Sequence, residues 1–395
     1  MKNILLIFLL TLFSCSENPE IKPYVDHLRK VEKKSAKNYI LQQFEKHDIV
    51  ILCERNHSEF SQYELIKEVI SEDYFKKNVK NIFIENGIIN LQPEIAEFLK
   101  SKNLDSLSIE KRVTKFQQNA SFWFIWERYS FKYLLKTIYN INNTSENQIS
   151  LYPSDSEFDW NKVKNVEDYT REQDFEIEPR DSIIAYNIIN QYKKIKSKKK
   201  KKALVILNYR HAFKIHTIRS NGDLQQNSGK YLKDYFGNRA VNILLNCPIF
   251  TRKDKKWTYE LNQNGKWDAA FKKQNLDNIG FDFENSAFGN DDFDMWNGMV
   301  DIKYKDVFDG FVFYKPIEEH DLIDNFNGMI SKDFEKEMFR RLKIQSEYFE
   351  NSSLLEKLEN IDFRENLVKE WNTKKSQKYP NFEHLLESRD KYLID

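Results

Sequence analysis

Six short apolar runs punctuate the chain, at residues 49–53, 81–85, 149–153, 203–207, 241–245 and 310–314. Each has strand length, and each is nearly continuous rather than alternating, as expected of strands buried on both faces. Between them, apolar residues recur at helical spacing. After the first run, Phe60, Tyr63, Ile66 and Ile70 define a helix for which Ser58 is the expected cap. Residues 23–47 are helix-like, and 91–143 are mainly helical, with Phe122, Trp123, Phe124, Trp126 and Tyr129 as core or pocket wall. Residues 156–180 are polar and acidic, which suggests a loop or flexible cover. A helix then carries Ile184, Ile188, Tyr192 and Ile195 and ends in the lysine run 198–202, whose charges suit a solvated helix C-terminus. Pro153 marks a strand end. Asn264-Gly265 suggests a hairpin turn within 257–270. Helical patterns such as Phe334, Met338 and Leu342 fill 318–395. Strands alternating with helices predict an α/β fold, with a largely parallel central sheet flanked by helices and extra helices in 91–143 and at the C-terminus.

Polar residues follow these runs. Glu54 and His57 stand after the first, Glu85 ends the second, Asp155 follows the third, and Arg210 and His211 follow the fourth. If the strands are parallel neighbours, these groups converge on the sheet edge where α/β proteins bind ligands. Two chemistries suit the set. In one, His57 is a general base on water, oriented by Glu54 or Glu85, while Arg210 or His211 stabilises oxyanion charge. In the other, Glu54, His57, Glu85 and His211 bind a divalent metal that activates the water. The spacing matches no zinc signature, and there is neither a Gly-x-Ser-x-Gly elbow nor a phosphate-cradling glycine loop.

Composition narrows the class. The 395 residues allow one large domain or two ordinary ones, and 40% hydrophobic with 14% aromatic residues suffice for a sizeable core. With 62 basic and 61 acidic residues, the net charge of +1 gives no support for nucleic-acid binding. Lys2 and the apolar residues 4–13 form a signal-peptide pattern too short to span a bilayer. Leu12-Phe13-Ser14-Cys15 resembles a bacterial lipobox, with Cys15 as the lipidated first mature residue. Ser16 after it favours the outer membrane, and Glu17 and Glu20 resemble a short acidic export tag. Cys53 and Cys247 each end an apolar run, and buried thiols are expected rather than a disulfide framework.

At the strand ends the sequence resembles the erythromycin esterase-like, ChaN-like and TraB/Tiki-like superfamily. Cys53-Glu54-Arg55-Asn56-His57 is similar to its Gly-Glu-x-x-His turn, with Cys53 in place of Gly. Residues 81–85 resemble the second strand with its terminal Glu. Arg180-Asp181, with Ala185 and Asn187-Ile188, resembles an Arg-Asp-x-x-Met-Ala-x-Asn-Ile helix start. Residues 204–212 resemble a later strand ending in His-Ala, and 309–313 the last strand. The resemblance implies an α/β fold with its site at the strand C-termini. It carries over Glu54, His57, Glu85 and His211, with Arg180 and Arg210 as anion contacts. Its members include lactone esterases, metal-dependent peptidases and a haem-binding lipoprotein.

The expected organisation is a signal peptide at 1–15, a tether at 16–22, an α/β domain at 23–317 and a C-terminal helical extension at 318–395 packed on it. The expected function is an esterase-like hydrolase of a small-molecule or peptide substrate, lipid-anchored in the cell envelope. His57, Glu54, Glu85 and His211 would be catalytic, and Arg210, Arg180 and Asp155 would bind substrate. The alternative is a non-catalytic haem or iron binder, with Tyr209 beside His211 as a further ligand. A third is an inert surface protein that retains the fold.

Overall fold

A computed structural model describes residues 18–173, 179–196, 200–218, 222–253 and 255–394. The signal-peptide pattern and Cys15 lie outside these residues. All six apolar runs are strands of one sheet. We label them β1 (Ile49–Glu54), β2 (Asn81–Ile88), β3 (Ser150–Asp155), β4 (Ala203–Asn208), β5 (Ala240–Leu245) and β7 (Gly310–Tyr314), with β6 (Asn278–Asp282) as a seventh. The spatial order is β6-β7-β5-β1-β4-β2-β3, parallel throughout except for the antiparallel β6 at one edge. β6 escapes the apolar pattern because Asn278, Gly280 and Asp282 disfavour strands. Gly280 is needed because a Cβ there would meet the Tyr39 side chain at 2.6 Å.

The strands are buried on both faces, which explains their continuous apolar character. Val50, Leu52, Ile82, Ile84, Leu204 and Ile206 point into one core, with α2 (Ala36–Lys46), α3 (Ser61–Ser71), α4 (Gln92–Lys100), α5 (Ser106–Gln118) and α6 (Tyr129–Thr144). Ile51, Cys53, Phe83, Val205 and Leu207 point into the other, with α1 (Lys22–Lys30), α8 (Arg180–Lys194), α9 (Ser228–Phe236) and α10 (Lys266–Lys273). Cys53 is a free, fully buried thiol, and burial pushes its pKa well up.

Some local expectations fail for identifiable reasons. Ser58 does not cap α3; its hydroxyl donates to Asp324 at 2.5 Å. Glu59 does the capping, accepting from the backbone N–H groups of Ser61 and Gln62. Asn264-Gly265 turns no hairpin: Gln263, Asn264 and Gly265 all have positive φ and lead into α10. The hairpin of this region pairs Ile249–Lys253 with Lys256–Glu260. The stretch 156–180 contains a helix, α7 (Val166–Gln173), held by buried Tyr169. Of the lysine run, Lys201 donates to the carbonyls of Tyr192 and Lys193 at the C-terminus of α8, as a helix-end cation should.

The C-terminal segment packs on the same body. Residues 321–325 cross the loop after β1, with Phe60 N–H bonded to the Asp321 carbonyl at 2.8 Å and Ile323 N–H to that of Ser58 at 2.7 Å. The helix α11 (Lys332–Tyr348) sends Gln345 to Phe122 and Phe124 and Arg341 to the Gln118 carbonyl.

Candidate functional site

The register aligns Glu54 of β1 with Asn208 of β4, and Ile84 of β2 with Ile206 of β4. Parallel pairing therefore delivers Glu54, Glu85 and the turn after Asn208 to one edge, as the sequence pattern predicts. A cleft of about 880 Å³ opens there, lined by His57, Glu85, Asp155, Arg180, Arg210 and His211. Phe122, Trp123, Phe124 and Trp126 wall one side, so the aromatic cluster is a pocket wall.

His57 turns Nδ1 onto Glu54 Oε2 at 2.9 Å. A carboxylate only accepts, so the proton sits on Nδ1 and Nε2 faces the cleft. Glu54 is itself fixed by the Tyr63 hydroxyl, which donates to Oε1 at 2.5 Å. The His57 carbonyl accepts from Ser130, and Trp126 meets the imidazole edge-on at 5.3 Å. His211 repeats the arrangement from the other side. Its Nδ1 faces both oxygens of Asp181 at 3.0 Å, and Asp181 is held by the backbone N–H and hydroxyl of Ser228. Both Nε2 atoms approach the same Oε1 of Glu85, His57 at 3.7 Å and His211 at 3.5 Å. Each imidazole side chain is 23% exposed, whereas Glu54 and Glu85 are almost fully buried.

Arg180 completes the set. Its Nε and Nη2 grip Asp155 at 2.9 Å each, and its guanidinium lies 3.4 Å from both Glu85 Oε1 and His211 Nε2. Asp155, expected to bind substrate, instead gives both oxygens to Arg180 and anchors it. Arg210 lies against the face of Trp296 at 5.5 Å on the cleft wall.

The charges bias one another. Burial disfavours a charged His57, but Glu54, and Glu85 beyond it, outweigh this and raise its pKa. Burial likewise opposes charge on His211, and Glu85 and Asp181 outweigh it. Burial would raise Glu85, yet His211, His57, Arg180 and the Asn208 N–H pull it down to about 2. Glu85 is thus a fixed anion between two imidazoles, and the imidazoles are the groups that titrate.

The donors do not fit a metal. The Arg180 guanidinium, 3.4 Å from both Glu85 Oε1 and His211 Nε2, stands where an ion bridging Glu85 and His211 would sit. Among the described residues no group of three or more His, Cys, Asp or Glu side chains is arranged to hold one. The expected metal role of Glu54, His57, Glu85 and His211 is replaced by the arginine. Tyr209 lines the cleft but is 3% exposed, and its oxygen already accepts the Phe250 N–H at 3.1 Å.

Sequence reasoning missed Asp181, Tyr63 and Ser228. Asp181 stood in view beside Arg180 at a helix start, where an acidic residue reads as a favourable end charge; only the fold turns it toward His211. α9 approaches so closely that a Cβ on Gly229 would lie 2.2 Å from the Ala212 carbonyl oxygen. Gly229→Ala should therefore destabilise the protein by about 1–3 kcal/mol. It should also disturb the Ser228 contact beneath His211. Thermal melting and the rate of the variant check both effects, and a parental Tm would refute the close fit.

Neither a family model nor a curated protein matches the chain. Among solved structures it is similar to a succinoglycan biosynthesis protein, at 10% identity and a TM-score of 0.52, covering 76% of this chain and 97% of that one. Erythromycin esterase in its open conformation matches at 9% identity and a TM-score of 0.47, covering 75% and 96%. A Bacillus cereus protein matches at 13% identity and a TM-score of 0.46, covering 76% and 97%. At 10% identity the likeness to the succinoglycan biosynthesis protein is one of fold, and it agrees with the α/β architecture expected from the strand pattern. The chemistry rests on this chain's own residues.

Proposed function

We propose that the chain is a hydrolase of ester-type carbonyl substrates, with His57 as the general base. The observation that carries this reading is the pair of carboxylate-oriented imidazoles facing Glu85 in one open cleft. A water on the cleft face of His57 would give its proton to Nε2 as its oxygen attacks the substrate carbonyl. Glu54 and Glu85 would stabilise the imidazolium that forms. His211, whose charged form burial opposes but Glu85 and Asp181 favour, and Arg180 stand ready for the developing oxyanion. Proton return from His57 to the leaving oxygen would complete the cycle. The apolar wall suits a substrate with a substantial hydrophobic part. The test is hydrolysis of a panel of esters and lactones by the full chain beside His57→Ala; hydrolysis of none by the parent, or of the same ones equally by both, would reject the reading.

We further propose that Cys15 carries a lipid that tethers the protein in the cell envelope. The lipobox-like segment before it supports this. Cys15→Ser should move the protein from the membrane to the soluble fraction and abolish labelling by a fatty-acid probe. A membrane fraction unchanged by the substitution would rule the tether out.

A further inference from the structure

A second concave site lies away from the cleft, where α5 and α6 meet the segment before α11. It encloses about 600 Å³. Five lysines line it, Lys111, Lys115, Lys132, Lys136 and Lys374, against the single acid Glu110. A chain of net charge +1 thus concentrates a local excess of four positive charges around one cavity.

The pairing inside does not cancel this excess. Glu110 is shared between Lys132, at 2.7 Å, and Lys136. Lys115 reaches out of the cavity to Glu94 at 3.3 Å. Lys111 and Lys374 meet no carboxylate among the described residues, and Lys374 rests on the Tyr129 ring at 4.3 Å. Lys132 forms the floor: its ammonium lies 3.8 Å from the Phe326 ring centroid and its side chain is 8% exposed. Burial lowers its pKa despite the opposing pull of Glu110, the expected cost of desolvating a cation.

Neutral donors converge on the same space. The hydroxyls of Thr114, Tyr129 and Ser331 line the cavity and make no side-chain hydrogen bond among the described residues. Ser331 stands at the N-cap of α11 without capping it. Like charges held around a concavity repel unless an anion joins them, and unfilled donors beside them are what an oxyanion would satisfy. Phe326, Ser331 and Lys374 come from the C-terminal segment, so that segment completes the site.

We propose that this cavity binds a phosphate-type anion, free or as the headgroup of a lipid. Pyrophosphate titrated into the full chain by calorimetry, and cosedimentation of the Cys15→Ser chain with phosphatidylcholine vesicles with and without phosphatidylglycerol, test it. Lys111 and Lys374 are exposed, so Lys111→Glu with Lys374→Glu leaves the fold intact. The expected result is saturable binding of pyrophosphate or of the anionic vesicles that weakens with salt and falls about tenfold or more in the double variant. Pyrophosphate alone points to a soluble ligand, and vesicles alone to a headgroup. Binding of neither probe at millimolar concentration, or binding unchanged in the double variant, overturns the proposal. Hydrolysis in the cleft plays no part in either readout.

Discussion

His57→Ala is expected to lower kcat/KM on a hydrolysed ester by about a thousandfold, within the range that general acid–base groups contribute. The geometry makes the loss specific. Ala removes the proton acceptor but leaves Glu85, Arg180 and His211 in place, so substrate binding should change much less than turnover. The pH profile tests the assignment further. A base works deprotonated, and the pKa of His57 is raised, so the rate should climb with pH through a limb above the ordinary imidazole value of about 6.5. Glu54→Gln removes the adjacent carboxylate charge that raises His57, so it should move this limb to lower pH while slowing the reaction. It should do so with the fold retained, because the Gln carbonyl can still accept from His57 while its amide N–H donates to the Tyr63 hydroxyl, which can accept as well as donate. A limb that stays in place in Glu54→Gln would mean that another group titrates.

Arg55→Ala should have the largest effect on stability, about 3–5 kcal/mol, as expected when one partner of a buried ion pair is removed. Arg55 and Glu59 are both fully buried and pair at 2.7 Å. The guanidinium places every N–H: Nε on the Asn246 carbonyl, Nη1 on Glu59 and the Ser61 hydroxyl, Nη2 on the Asn246 side chain and the Tyr314 carbonyl. It ties the turn after β1 to the ends of β5 and β7, so its loss should also loosen His57. Linkage gives a second readout. Burial works to raise the Glu59 pKa, but Arg55, the more distant His320 and the Ser61 hydroxyl hold it down at about 2. A depressed carboxylate contributes stability above its unfolded pKa, about 4.3, and that stability is lost as pH falls through the folded value. The parent should therefore lose stability between about pH 5 and pH 2, and Arg55→Ala should lose less over that window because Glu59 is no longer depressed. Denaturant melts across this range decide it; parallel pH curves for the two proteins would refute the linkage.

Much of this architecture is visible along the chain because its cause is local. A five-residue apolar run flanked by polar residues has few alternatives to a buried strand, and the six such runs are six of the sheet's seven strands. The edge strand β6 is not visible, because its Gly280 and Asn278 are chosen for contacts with Tyr39 and the Ala36 N–H, far away in sequence. Ser58 misled for a related reason: its hydroxyl answers Asp324, 266 positions on, instead of the helix beside it.

For the site, residue types and strand ends were enough to nominate Glu54, His57, Glu85, Asp155, Arg210 and His211, and the family resemblance added Arg180. The sequence by itself determined which groups reach the cleft edge, since parallel strands carry whatever follows them to the same side. Only the tertiary structure decided what each does there. It set Asp181 under His211, turned Asp155 from substrate contact into anchor of Arg180, and put that guanidinium where a metal would have bridged Glu85 and His211. Local pattern fixes direction and face at the level of one element. Charge pairing depends on distances of a few ångström between elements that the chain separates by tens to hundreds of residues, and those exist only once the sheet has assembled.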